Sequence, residues 1–322
     1  MAGGQERILR RRIKTVQATK KITRAMELIA ASRIARAQER VRAAVPYSNQ
    51  ITEVVKDIAS AAGSEVKSPL LESRPEIRKE GYLVLVADRG LCGGYNASVL
   101  RAAEGEVKRT VEEGKGYGLV LVGRKAETYF RFRGYDTEAS FTGFSERPTY
   151  ADAKAIAATV MEKYAEGALD RVEIIYTRFI SAGVQEVLIR PLIPLDRAVV
   201  EGGDAKPSAP EGHEGPQAAY EFEPAPDAIL DSLLPRYVEA RIYAALLNAA
   251  ASEQAARQRA MKAATDNAED LIISLSRIMN RARQDAITTE IMEIVGGAEA
   301  LKSDEVAEHH VHIELELPTP LS

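Results

Sequence analysis

Tryptophan is absent from this 322-residue chain, and aromatic residues make up only 6% of it. Cys92 is the single cysteine, which excludes an intrachain disulfide and a zinc site built from cysteines. No apolar run reaches the about 18 residues that a membrane span needs, so we expect no direct membrane span. The basic N-terminus is not followed by an apolar stretch, which argues against a secretory signal. These absences predict a protein of a reducing compartment that is at most peripheral to a membrane.

Charge is distributed unevenly along the chain. The totals are 43 basic and 47 acidic residues, and this balance does not favour retention on nucleic acid by net charge. Residues 1–42 contain twelve Lys or Arg against three Glu, whereas residues 196–226 contain two basic residues against seven acidic ones. Residues 302–322 contain one basic residue and five acidic ones. A basic N-terminal segment of this kind favours contact with an acidic partner.

Both ends of the chain have the apolar periodicity of long helices. Apolar and small residues recur at alternating steps of four and three over 30–62, which is the seam of a coiled coil. Upstream, Ile22, Met26 and Ile29 keep these steps with a shift of one residue in phase. The same alternation runs over 229–286. We expect the two helices to pair in antiparallel fashion, because the segment between them joins them as neighbours.

The central segment alternates short apolar runs with amphipathic stretches, a pattern that predicts a parallel or mixed sheet with helices on its faces. Its predicted strands lie at 82–87, 118–122, 172–180 and 184–192, and its predicted helices follow residue 96 and cover 149–166. The predicted fold class is therefore α/β, with a long antiparallel coiled coil of the terminal helices and a central Rossmann-like domain. The predicted divisions are an N-terminal coiled-coil helix at 1–62, the α/β domain at 63–195, a flexible acidic insertion at 196–226, a C-terminal coiled-coil helix at 227–301 and a C-terminal extension at 302–322.

Few residues are candidates for catalysis or for ligand binding. The glycine-rich turn 88–96 follows a predicted strand, where phosphate-binding loops lie, but its spacing matches neither GxxxxGK[ST] nor GxGxxG. A structural turn is therefore favoured over a nucleotide-binding enzyme. His309, His310 and His312 form an HHxH tract, for which a solvated tail is favoured over a metal site. We expect no catalytic residues, no cofactor and no metal.

The basic N-terminal helix allows three interpretations. Its lysines and arginines could bind nucleic acid or anionic lipid, face solvent, or contact an acidic protein. They surround the helix rather than forming one stripe, which favours a rod contacted from all sides. A coiled-coil scaffold or a nucleic-acid adaptor therefore remains an alternative on these residues alone.

Five sequence blocks resemble the gamma subunits of F-type ATP synthases. They are IKTVQATKKITRAMELIAAS at 13–32, DRGLCGG at 88–94, ASEQAAR at 251–257, AMKAATDNA at 260–268 and NRARQDAITTEI at 280–291. The resemblance extends in order from residue 5 to about residue 301. The chain departs from the family in its longer acidic segment 196–224 and in the residues that follow 301.

The resemblance implies a non-catalytic subunit of a proton-transporting ATP synthase, without a cofactor. Its helical pair would be the rotor shaft that couples proton flow to ATP synthesis or hydrolysis, with a role in regulating the ATPase. The implied partners are the alpha and beta subunits, the epsilon subunit and the c-ring, with one copy of this chain per complex and no nucleic acid. The implied location is the cytoplasmic face of a bacterial cell membrane, as a peripheral protein, since no mitochondrial targeting segment precedes the first helix.

The resemblance also implies which residues contact the ring of alpha and beta subunits. On the N-terminal helix, the resemblance implies that Met26 contacts the ring. Met26 also belongs to the apolar positions that are shifted by one residue in phase. The residues implied on the C-terminal helix are Arg283, Gln284, Thr288, Glu290 and Glu293. Because Ala282 and Ala286 belong to the seam, Arg283 and Gln284 are expected to point away from the partner helix.

Overall fold

The computed structural model describes residues 2–62, 68, 70–71, 74–195 and 226–313. The acidic insertion predicted at 196–226 therefore lies outside the described residues, apart from Pro226 at its end. The chain divides into two compact units, of which one contains residues 1–24 and 263–322 and the other contains residues 25–262.

Two long helices, α1 (Ala2–Ala62) and α5 (Pro226–Ile313), form the ends of the described chain. Within residues 25–262, Arg33 lines one cavity with Gln254, whereas Ser48 lines another with Ala244. The two helices therefore run in opposite directions there. In the other unit, Lys20 Nζ lies 2.9 Å from Glu269 Oε1 and Thr23 Oγ1 lies 2.8 Å from Thr265 Oγ1, so the two helices also run in opposite directions within that unit.

The seam of α1 differs from the prediction in its first half. The sequence predicts a shift of phase through Ile22, Met26 and Ile29, but Ile22 is 61% exposed and Ile29 is 53% exposed. Thr23 is buried instead, and its Oγ1 is hydrogen-bonded to Oγ1 of Thr265 at 2.8 Å. The predicted shift is therefore wrong. The phase of 30–62 continues towards the N-terminus without interruption. Thr23 can occupy a buried seam position because its hydroxyl is hydrogen-bonded to that of Thr265, and a search for apolar residues alone does not detect a threonine there.

The C-terminal helix is longer than predicted. Its predicted end is near residue 301, whereas α5 continues to Ile313. Residues 302–313 contain neither glycine nor proline, so the sequence has no signal that would end the helix there. Residues 314–322 lie outside the described part of the chain.

The central domain is a five-stranded mixed sheet with the strand order β3-β2-β1-β4-β5. The strands are β1 (Lys79–Leu85), β2 (Gly116–Val122), β3 (Ala139–Phe141), β4 (Arg171–Phe179) and β5 (Gln185–Ile193). The helices are α2 (Tyr95–Glu112), α3 (Arg124–Phe132) and α4 (Tyr150–Ala165). Strands β1 to β4 are parallel and β5 is antiparallel to β4, which confirms the predicted α/β class. The sequence prediction missed α3 and β3, because both are too short to show a clear period.

Both faces of the sheet are covered. Helices α2 and α3 cover one face, where Val99 and Phe130 belong to one apolar cluster. Helix α4 contributes Ile156 to the cluster on the other face, and α1 and α5 contribute Ile51 and Leu234 to that same cluster. The central domain and the adjoining stretches of the two long helices therefore share one hydrophobic core within residues 25–262.

Candidate functional site

The glycine-rich turn 88–96 connects β1 to α2 in a tight conformation. Leu91 and Gly93 have positive φ angles of 61° and 58°. The side chain of Asn96 accepts a hydrogen bond from the Ala87 amide at 2.9 Å, so it holds the chain where it leaves the strand. The side chain of Asn96 therefore stabilises the backbone of the turn, which agrees with the predicted structural turn.

The Asp88 carboxylate connects this turn to two other segments. It accepts hydrogen bonds at 3.0 Å from the backbone amides of Arg124, Gly143 and Ser145. Burial raises the pKa of Asp88, but these amides favour the charged form more strongly and the pKa is lowered overall. Asp88 is therefore a charged anchor for the loops at the carboxyl ends of β1, β2 and β3.

Helix α5 packs against the turn through the block ASEQAAR. Every residue of 251–257 is buried, although four of them are polar or charged. Arg257 Nη2 lies 2.7 Å from Glu253 Oε1 and donates a hydrogen bond to the Gly90 carbonyl at 3.4 Å. Burial raises the pKa of Glu253, and Arg257 offsets part of that rise. The sequence places this block on the C-terminal helix, with Ala251 on the seam, and gives no indication of its contact with the turn.

A cluster of ionisable side chains joins four segments at this point. Glu146, which precedes α4, accepts a hydrogen bond from Arg33 of α1 at 2.5 Å. Its Oε1 lies 3.8 Å from Arg257 of α5 and 3.9 Å from Arg89 of the turn. We call Arg33, Arg89, Glu146, Glu253 and Arg257 the joint cluster. Sequence reasoning gave no signal for Glu146, because it lies in a loop and belongs to no motif.

The residues that the resemblance implies as ring contacts lie on both long helices. Met26 is half-buried on α1 and belongs to the unit of residues 25–262. The five on α5 belong to the other unit and are all exposed: Arg283, Gln284, Thr288, Glu290 and Glu293. Thr288 Oγ1 donates a hydrogen bond to the Gln284 carbonyl at 2.9 Å, a local helix contact.

Apolar side chains accompany these polar residues on α5. Ile287, Ile291 and Ile294 are between 49% and 66% exposed and follow one another at steps of four and three. This spacing places them on one face of the helix. The seam predicted from the sequence ends at Ala286, and these three isoleucines, which follow the same steps one residue out of phase with it, are not among the predicted contacts.

Within the described ranges of the chain, none of the helices combines the length and the apolar character needed to cross a bilayer.

The joint cluster and the shared core define a class of α/β protein in which a sheet domain is inserted between the two helices of an antiparallel pair. A family model described as ATP synthase matches residues 5–301. The chain belongs to the ATP synthase gamma chain family.

Individual relatives support this assignment. The chain is 52% identical to the ATP synthase gamma chain of Parafrankia sp. over 304 residues, which cover 93% of this chain and 99% of that one. It is 45% identical to the gamma chain of Heliobacterium modesticaldum, with 92% and 98% covered. Among solved structures, the central stalk and c-ring of the Tetrahymena thermophila mitochondrial ATP synthase matches with a TM-score of 0.56 and 25% identity, over 76% of this chain and 99% of that one. A chain of the Euglena gracilis mitochondrial ATP synthase shares the fold, with a TM-score of 0.64 at 17% identity and 99% of each chain covered.

Proposed function

We propose that this chain is the non-catalytic rotor shaft of a bacterial ATP synthase. Rotation of its helical pair would couple proton flow through the membrane sector to ATP synthesis or hydrolysis at the alpha and beta subunits. The observation that carries the proposal is the match to gamma chains over 93% of the sequence. A coiled-coil scaffold or nucleic-acid adaptor is not favoured, because that match extends far beyond the basic N-terminal helix.

The exposed part of α5 supports the proposed contact with alpha and beta subunits. Ile287, Ile291 and Ile294 offer an apolar stripe, and Arg283 and Gln284 offer hydrogen-bond donors one turn before it. A ring of subunits around the helix would cover the stripe and provide acceptors for Arg283. The epsilon subunit and the c-ring are proposed as the remaining partners. One copy of the chain would serve each complex, as a peripheral protein on the cytoplasmic face of the membrane, with a part in regulating ATP hydrolysis.

The double substitution Arg283→Ala with Gln284→Ala tests the ring contact. We expect ATP-driven turnover of the purified complex to fall about tenfold, which corresponds to the loss of one charge-assisted hydrogen-bonded contact. Assembly should be unchanged, because both side chains are exposed on the helix surface. The matched control is Arg277→Ala, which removes an exposed arginine about two turns earlier on the same helix, outside the implied contact residues. Wild-type turnover in the double variant would contradict the contact.

Substitution of Met26 tests coupling rather than turnover. Met26 is half-buried, so Met26→Lys places an ammonium group where water is partly excluded. We expect proton-driven ATP synthesis in membrane vesicles to fall about tenfold, because an unpaired or wrongly paired charge there disturbs an interface that must slide. ATP hydrolysis should fall less. Met26→Leu, which keeps the apolar character, is the control, and an equal loss of both activities in Met26→Lys would argue against a role in coupling.

A further inference from the structure

A small basic cavity lies between α1, α5 and the segment that precedes α4. Its volume is about 150 Å³, and α1 contributes Arg33, Arg36 and Arg40 to its lining. The segment before α4 contributes Glu146 and Arg147, and α5 contributes Gln254. We call this cavity the arginine pocket. All its lining residues belong to the compact unit of residues 25–262.

The charge of the arginine pocket is not balanced by its own side chains. Glu146 is its only acidic lining residue, and Arg33 already contacts Glu146 at 2.5 Å. Arg257 and Arg89 lie 3.8 Å and 3.9 Å from the same carboxylate. Arg36, Arg40 and Arg147 are exposed, and none of them forms an ion pair within the described part of the chain. Three guanidinium groups at one cavity therefore lack an anionic partner.

A buried amide provides an independent observation. Gln254 is only 2% exposed, yet its side-chain Oε1 and Nε2 both lack a hydrogen-bond partner among the described residues. Buried polar side chains in folded proteins nearly always have such a partner. Gln254 lines the arginine pocket, but both amide atoms are closed to solvent, so its NH₂ group would reach a ligand oxygen there only after a rotation of the side chain.

We propose that the arginine pocket binds a phosphate group. A guanidinium group donates two parallel N–H bonds to neighbouring phosphate oxygens, and several such groups together prefer a multivalent oxyanion to chloride. The volume of about 150 Å³ admits one phosphate group and is well below the roughly 300–1,000 Å³ of pockets that enclose whole drug-sized ligands. The phosphate could be free inorganic phosphate or the terminal group of a nucleotide.

An adjoining cavity provides a way to distinguish inorganic phosphate from a nucleotide as the ligand. It has a volume of about 630 Å³ and shares Arg40 with the arginine pocket. Tyr47, Tyr150 and Tyr243 line it, and the rings of Tyr150 and Tyr243 are 5.7 Å apart in an edge-to-face arrangement. Aromatic walls of this kind can stack on a base. A nucleotide would therefore use both cavities, whereas inorganic phosphate would use only the arginine pocket.

Isothermal titration calorimetry on the full-length chain tests the proposal, with inorganic phosphate and magnesium-free ATP as separate probes at constant ionic strength. We expect saturable binding of at least one probe. The double substitution Arg36→Gln with Arg147→Gln should weaken it at least tenfold, because it removes two charge-assisted donors. Gln254→Leu should weaken it as well. Arg42→Gln changes an exposed arginine of the same helix that does not line the pocket, and it should leave the affinity unchanged.

The variants also identify the source of the phosphate. If ATP binds more tightly than phosphate and Tyr47→Ala removes the difference, the ligand is a nucleotide; equal affinities indicate inorganic phosphate. Tyr47 is 48% exposed, so its replacement should not disturb folding, and circular dichroism verifies the fold of every variant. Absence of saturable binding for both probes would overturn the proposal. The proposal would also be overturned if Arg42→Gln lowered the affinity as much as the double substitution Arg36→Gln with Arg147→Gln. The measurement does not depend on assembly of the complex, so it separates this proposal from the proposed rotor function.

Discussion

Replacing Gly123 with alanine is expected to prevent stable folding of the α/β domain. Gly123 has a φ angle of 97°, and a Cβ atom there would lie 2.2 Å from the Val86 carbonyl oxygen. The backbone has little room to shift. The Gly123 amide donates to the Phe141 carbonyl at 2.8 Å, and the Val86 amide donates to the Val122 carbonyl at 2.9 Å. We expect a loss of more than about 4 kcal/mol in the free energy of unfolding, which is exceptional for one substitution.

Chemical denaturation, or the soluble yield if unfolding is complete, measures this effect. The matched control is Gly134→Ala, because Gly134 has a φ angle of 77° but no atom within 4 Å of the added Cβ. That variant carries only the left-handed backbone cost of about 1–2 kcal/mol. A loss at Gly123 no larger than the loss at Gly134 would show that the contact with the Val86 carbonyl is relieved by backbone movement.

Replacing Arg257 with methionine is expected to be the most damaging change in the joint cluster. Its side chain is 7% exposed and lies 2.7 Å from Glu253, whose side chain is 1% exposed. Without Arg257, the Glu253 carboxylate is buried without its cation, which typically costs about 3–5 kcal/mol. The Gly90 carbonyl also loses its donor. Urea denaturation at pH 8 measures the loss in free energy of unfolding.

The dependence of this loss on pH gives a second test. Burial raises the pKa of Glu253 in the folded chain, so the folded state binds its proton more tightly than the unfolded state does. The penalty in Arg257→Met should therefore be largest at high pH and should shrink as the pH falls through that raised pKa, where the carboxyl becomes neutral. A penalty that does not change with pH would argue that lost packing, and not the uncompensated charge, is its cause.

Two further variants complete the test. The double variant with Glu253→Gln should recover most of the loss, because it removes the buried charge along with its partner. The control Arg78→Met breaks an exposed pair in which Arg78 lies 2.8 Å from Glu76. It should leave the free energy of unfolding unchanged within experimental error, since exposed ion pairs contribute little.

Local pattern in the sequence was sufficient for the fold class and for most of the elements. The alternation of four and three over 30–62 identified residues that are buried in the structure, such as Ile34, Ile51 and Val55. The apolar runs identified four of the five strands. The blocks 13–32 and 280–291 carried the family resemblance. Each of these signals arises within one element, where the period of the backbone directly determines which side chains face the core.

The remaining features depend on groups far apart in the chain, and only the tertiary structure decided them. Thr23 occupies the seam because it meets Thr265, 242 residues away, and Arg257 is buried because it reaches Glu253 and the Gly90 carbonyl, 167 residues before it. A polar residue at a buried position is stable only when its partner is present. Hydrophobic periodicity cannot register such partners, so it predicted a false shift of phase at Ile22 and gave no indication of the joint cluster or the arginine pocket.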